Sequence, residues 1–425
     1  MKNWMENIRA MHKDLKSITI CREGIIRITA IMLIMLLLIS GCKGADSGQD
    51  PSAGRTQTAS SDADQVLTDK TTKGNDDIAA KDAALTEEDL EDANAIAAAE
   101  AAALSEDSDW VTFLLLCNEG MNNTGSNVGN TLMAVSLNSE TGIIRLMMLT
   151  WDTFVEYEGY DIPQVIDMAY RNGGPEEAVK IFDDNFDAHI DRFMSLNFLN
   201  LATLIDDYGG VNVDITRAER NALNGMVASK KRDLQAKAGE NLVSQHVMDM
   251  IEEEYHLNEF GPDTHLNGLQ AVGFGWLQYD SVYNCCEREI KVVAALFKKI
   301  SDDIGEEAVF YTNDTGAPEK GDKRRAINLD DLTEDDRAFL SETLTPIIQT
   351  SYNNLSKEEF MDMALAFART AYKASREGVD IFSNIESAVF PLEAKDPYDI
   401  VAGTEGHVID YEKNSNAMKL FLYKE

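Results

Sequence analysis

The chain has 425 residues, 44% hydrophobic and 26% charged, enough to bury a substantial core in one large domain or two ordinary ones plus tails. Lys and Arg number 38 against 74 Asp and Glu, a formal charge of −36. Such a chain repels phosphate backbones, which excludes general DNA or RNA binding. Five cysteines, two of them adjacent at Cys285 and Cys286, form neither a disulfide framework nor a spaced metal motif.

The N-terminal segment, residues 1–41, starts with a basic stretch containing Lys2, Arg9, Lys13, Lys16, Arg22 and Arg27. An apolar run of 13 residues follows, Ile28 to Ser40, the length of a signal-peptide core and short for a membrane-spanning helix. It ends in Ile39-Ser40-Gly41-Cys42, which resembles the lipobox of bacterial lipoproteins. In those proteins the cysteine carries two acyl chains, enough for stable anchoring. Cys42 is therefore the expected lipidation site, with an uncleaved signal anchor as the alternative. Either way the rest of the chain faces the outside of the cytoplasmic membrane.

Residues 42–108 are rich in Ala, Ser, Thr and Asp and carry almost no large apolar side chains. They cannot offset the entropy of ordering, so they read as an acidic tether, helical near its end from Thr86 to Leu104. At Trp110 the composition turns globular, and residues 109–425 read as one α/β domain. Strands are predicted at Val111–Leu116, Thr131–Leu137 and Ile143–Leu149, the last two joined by the turn Asn138 to Gly142. Helical periodicity covers Pro175–Asn185 and Phe198–Tyr208, then Gly209-Gly210 stops the helix and Val211 to Ile215 alternates as a strand. Residues 217–262 are polar and helix-prone, an excursion from the core. Helices return at Leu266–Leu277 and Glu287–Ile300. A capping box at Ser356 to Glu359 opens a further helix, with late strands at Ile385–Phe390 and His407–Asp410.

Several collinear segments resemble the LytR–CpsA–Psr proteins of Gram-positive cell envelopes. They include Leu149-Thr150-Trp151-Asp152-Thr153-Phe154-Val155, the run Ile166-Asp167-Met168-Ala169-Tyr170-Arg171-Asn172-Gly173-Gly174-Pro175-Glu176, and Asp206-Asp207-Tyr208-Gly209-Gly210-Val211. Leu266-Asn267-Gly268-Leu269-Gln270-Ala271 and the tail segment Asn384-Ile385-Glu386-Ser387 extend the match. The resemblance implies an α-β-α layered mixed sheet with an apolar tunnel for a polyprenyl chain. It also implies transfer of glycopolymers from an undecaprenyl-pyrophosphate carrier to peptidoglycan or protein. A pyrophosphate leaving group calls for arginine forks and for Mg²⁺ held by carboxylates.

The likeness fails where that chemistry belongs. At the family's first acidic position stands Glu119. The next block's Arg and Asp fall on Val128 and Asn130, and the Arg after the third strand falls on Trp151, leaving Asp152. Two later arginines align with Trp276 and Gln278, and a final pair with Cys285 and Arg288. Of six arginines only Arg288 remains. Asp152 and Arg288 are thus the residual catalytic candidates, and Glu119 with Asp152 the candidate Mg²⁺ ligands should the protein be active. Cys285 and Cys286, with no nearby His, read as inert. Trp151 and Trp276 fill space vacated by arginines or stack on a sugar. Two functions follow: a catalytically degenerate envelope module binding a polyprenyl lipid, a cell-wall glycan or a partner protein, or a divergent phosphotransferase using the surviving residues. The losses fall on the charged positions while the glycine and apolar signatures persist, which favours the module.

Overall fold

The first strand, Trp110–Asn118 (β1), is apolar on both faces, the pattern of a strand covered from two sides. The computed structural model, which describes residues 109–119, 129–239, 256–318, 321–391, 399–401 and 403–423, places it inside a six-stranded mixed sheet. The signal segment, the tether and the stretch 240–255 of the polar excursion lie outside the described residues. Strands Gly129–Asn138 (β2) and Ile144–Leu149 (β3) follow β1 as an antiparallel meander. The turn at Asn138 is held by its own Oδ1, which accepts from the Glu140 and Thr141 amides at 3.0 and 2.6 Å.

After β3 the short pair Phe154–Val155 (β4) and Gln164–Val165 (β5) leads into helix Asp167–Phe186 (α1). Gly174, at φ 78°, breaks this helix before Pro175, so the predicted helix over 175–185 is its second half. Phe193–Asn197 (β6) then pairs in parallel with β1. Asn197 caps the next helix, Phe198–Asp207 (α2), by accepting from the Asn200 amide at 2.9 Å. The polar excursion proves to be an insertion inside a hairpin. Helix Arg217–Gly239 (α3) lies in the chain between strands Val211–Ile215 (β7) and Gly261–Leu266 (β8), which pair antiparallel.

Helix Gly268–Gly275 (α4) is shorter than the periodicity predicts. Leu266 ends β8, and Asn267 and Gln270 form a capping box that sets the helix start. Helix Val282–Glu307 (α5) starts five residues earlier than predicted because Ser281 caps it. Beyond it come the parallel strands Ala308–Tyr311 (β9) and Arg325–Asn328 (β10), helices Glu334–Thr343 (α6) and Thr345–Thr350 (α7), and the edge strand Tyr352–Asn353 (β11). The capping box at Ser356 and Glu359 opens helix Lys357–Glu377 (α8), as the sequence indicates. Ile385–Phe390 (β12) adds in parallel to β3, giving the order β11-β6-β1-β2-β3-β12. The last predicted strand is displaced. Thr404–Gly406 pairs as β14 with Asp399–Val401 (β13), while His407 makes only a parallel bridge to Thr153. The chain then ends in a helix the sequence reading did not foresee, Tyr411–Tyr423 (α9).

Alternation along β1 sorts its side chains into two cores. Val111, Phe113, Leu115 and Cys117 pack with α2, α4, α5 and α8 on one face. Leu114 and Leu116 pack with α1 and α9 on the other. The result is the α-β-α layering that the resemblance implies.

Candidate functional site

The positions expected to carry phosphate chemistry gather where the first sheet face meets α4 and α5. Trp276, the residue after α4, is 4% exposed, lies 5.2 Å from the Phe198 ring between centroids, and donates from Nε1 to Thr131 Oγ1 at 3.3 Å. Thr131 in turn donates to Glu289 Oε2, and Cys285 Sγ donates to the Gly275 carbonyl at 3.3 Å. Burial pushes the Glu289 carboxyl up to about 8, against the hydrogen bond from Thr131. Burial likewise raises the thiols of Cys117, Cys285 and Cys286, all three free, so none is a ready thiolate. Beside this cluster Leu115, Cys117, Trp276, Glu289 and Val293 line a cavity of ≈20 Å³, room for about one water. An indole and a thiol, Trp276 and Cys285, stand where guanidinium groups were expected, beside a carboxyl that burial holds toward its protonated form.

Arg288 lies on the same helix but does not face solvent. The sequence allows surface pairing with its acidic neighbours; the structure buries its side chain to 3% exposure. Its two terminal nitrogens reach Asp280 at 2.9 and 2.7 Å, Nη2 also donates to the Leu277 carbonyl, and Glu219 stands 3.8 Å away. Burial opposes the charge, yet the hydrogen bonds and charge of Asp280, with Cys285 and Glu219, together outweigh it and hold the guanidinium pKa above its ordinary value. The Arg288 hydrogen bonds hold Asp280 below the usual carboxylate range. This bidentate pair closes the turn between α4 and α5. Gln278 is exposed on that same turn.

Asp152, in the loop after β3, is 2% exposed, and its Oδ1 lies 2.9 Å from His407 Nδ1. Backbone bonds lock the two strands of chain together: His407 N donates to Asp152 O at 3.0 Å, and Phe154 N donates to His407 O at 2.9 Å. Thr150 Oγ1 also lies 3.5 Å from His407 Nδ1. Asp152 and Thr150 thus both meet the Nδ1 side of the His407 ring. His407 is the functional-looking residue that the sequence reading missed, since 255 positions separate it from Asp152. Glu119 is exposed at the end of β1. Among the described residues no three His, Cys, Asp or Glu side chains gather as a cation site. With Asp152 turned toward His407, the donor set does not fit Mg²⁺ held by carboxylates. Val128 and Cys42 lie outside the described residues, and Asn130 is described only as backbone of β2.

Trp151 is half-buried and packs against the first core. It also lines a second, open cleft of ≈420 Å³, together with Ile162, Asp167, Met168, Arg171 and Glu405. No described helix is long and apolar enough to cross a membrane.

Comparison with known proteins gives concordant matches. A teichoic acid transferase of Halalkalibacterium halodurans, named polyisoprenyl-teichoic acid–peptidoglycan teichoic acid transferase TagU, is 28% identical over 85 residues, 20% of this chain and 28% of the relative. Biofilm regulatory protein A of Streptococcus mutans serotype c is 25% identical over 187 residues, 40% of this chain and 38% of the relative. The matches thus span well under half the length of either relative. The crystal structure of B. subtilis TagV superposes on 74% of this chain and 98% of its own, with 14% identity and a TM-score of 0.47. The model of the LytR_cpsA_psr family matches residues 69–305, more than half of the sequence, and the chain belongs to that family.

Proposed function

We propose that this protein is a cell-envelope binding module built on the family fold, with its pyrophosphate site dismantled. The observation that carries this reading is the fate of Arg288. The one guanidinium left at the expected arginine positions is bound on both terminal nitrogens by Asp280 and is 3% exposed. A transferred pyrophosphate needs preorganised donors aimed at its developing charge. Each charged hydrogen bond that is missing forfeits about 1.5–3 kcal/mol, so the loss of several removes most of such a site. Trp276 and Glu289 occupy the adjoining interior, and the ≈20 Å³ left there does not accommodate a polyprenyl chain in this conformation.

Kinship and the N-terminal sequence support a location at the cell envelope. The transferase relative acts, by its name, on teichoic acid and peptidoglycan, which supports a place beside wall polymers. Acylation of Cys42 would hold the module at the outer face of the cytoplasmic membrane. Cys42→Ala is then expected to abolish labelling by a fatty-acid analogue and release the protein. Membrane retention with no label in the wild type would instead require an uncleaved helix.

The decisive assay is Mg²⁺-dependent transfer from a pyrophosphate-linked polyprenyl donor by the full chain. No turnover is expected from folded wild type. Turnover that disappears in Asp152→Ala or Arg288→Lys would assign the alternative, a divergent phosphotransferase.

A further inference from the structure

The open cleft of ≈420 Å³ lies beside the loop that follows β3, and its charges are unlike those of a phosphate site. Trp151 lines it at a position where the family resemblance places an arginine. An arginine there would present five donors and a fixed positive charge; an indole presents an electron-rich face. The cleft does contain one guanidinium, that of Arg171. Its charge is offset by Asp167, whose Oδ2 accepts from Arg171 Nη2 at 2.6 Å within the first turn of α1. Glu405 is the remaining charge on the lining, exposed on β14, and none of the described cations pairs with it. Ile162 and Met168 supply apolar surface between these groups.

The balance of the lining is therefore one carboxylate without a described cationic partner, one ion pair, one tryptophan, the neutral polar side chains Gln164 and Thr404, and patches of apolar surface. An anion entering it meets Glu405 and the field of a chain with formal charge −36. A cation meets a carboxylate and an indole, the pairing that holds ammonium ions through ring quadrupole and charge. A strongly hydrated metal ion gains nothing from apolar surface, and among the described residues no three-donor group is present to strip its water. An ammonium carrying methyl or methylene groups uses the carboxylate, the indole and the apolar patches together.

We propose that this cleft binds a small organic ammonium ion, with Trp151 against the cationic head and Glu405 as its counter-charge. The substitution of tryptophan for arginine has then reversed the sign of ligand that this end of the sheet selects. The proposal deepens the reading of the chain as a binding module, and the two fail separately. Glycopolymer turnover would overturn the module reading without touching an ammonium titration, and a failed titration would leave the transfer assay unchanged.

The test is calorimetric titration of the full chain at low ionic strength with choline chloride, and separately with 3,3-dimethylbutan-1-ol, its uncharged isostere. Choline is expected to bind saturably and about tenfold more tightly than the alcohol. Added salt should weaken choline and leave the alcohol unaffected. Glu405→Gln, on an exposed two-stranded turn where misfolding is not at issue, should weaken choline about threefold or more and flatten the salt dependence. Trp151→Leu should reduce choline binding further. Equal affinity for choline and the alcohol, the absence of saturable choline binding, or a choline affinity indifferent to both substitutions would each overturn the proposal.

Discussion

Glu289 is a residue whose chemistry the fold alters strongly. It sits on α5 in the first core, accepting from Thr131 and near Cys285, and burial raises its carboxyl from about 4.5 to about 8. A folded-state value above the unfolded one means that folding binds a proton. Its contribution to stability is then fully present below about pH 4.5 and is lost progressively as pH rises to about 8. Glu289→Gln keeps the shape and the acceptor for Thr131 but cannot ionise. The wild type is expected to lose stability across that interval, by on the order of a few kcal/mol, while the glutamine variant shows a flatter profile. Urea unfolding at a series of pH values checks this, and parallel profiles for the two proteins would refute it. Residue-scale features of this kind were only partly legible. That a single arginine remained could be read from the sequence. Its capture by Asp280 could not, because the bond crosses the turn between two helices rather than one helical face. The Asp152–His407 contact joins residues brought together only by the return of the chain from β12.

At the scale of elements, local signals were reliable where the sequence itself supplies the stop. Gly209-Gly210 ends α2, and Ser356 with Glu359 starts α8, as expected. Where tertiary pairing decides, periodicity misled. His407–Asp410 alternates like a strand, but the ladder ends at Gly406 and His407 turns inward to Asp152. Helix α9 was missed because its apolar positions make sense only against α1 and the second sheet face. The meeting of α2 and α4 shows how one small residue fixes an interface. A Cβ placed on Gly268 would lie 1.8 Å from the carbonyl oxygen of Ala202, while the Gly268 amide donates to Asp206 Oδ1 at 2.6 Å. The two backbones therefore touch, and the helix start cannot slide away without breaking its cap. Gly268→Ala is expected to destabilise the protein by about 1–3 kcal/mol through overpacking. A denaturation midpoint equal to the wild type would show that the interface has slack which this geometry denies.

For the whole molecule, the family match ends at residue 305, yet the layered fold does not. Everything after α5 completes it. Strand β12 pairs along β3 from Ile385 opposite Ile144 to Phe390 opposite Leu149. Helix α8 covers the first face with Met363 and Phe367, and Thr370 ties it to the β2–β3 turn by donating to the Gly142 carbonyl at 2.9 Å. Helix α9 covers the other face with Met418 and Leu422, and Arg145 of β3 reaches back to the Leu422 carbonyl at 3.0 Å. Full burial of a side chain of this size is worth about 1.5–3 kcal/mol, so Met363, Phe367, Phe390, Met418 and Leu422 together contribute about 8–15 kcal/mol. That equals the whole net stability of an ordinary domain, about 5–15 kcal/mol. A chain truncated after Glu307 keeps the whole of the matched family region but loses the strands at both edges of the sheet and exposes part of both its faces. It is expected to lose cooperative thermal unfolding and to bind a hydrophobic dye such as ANS, as loosely packed states do. A sharp transition near that of the full chain, without dye binding, would mean that the matched region is a self-sufficient domain and that the C-terminal elements only decorate it.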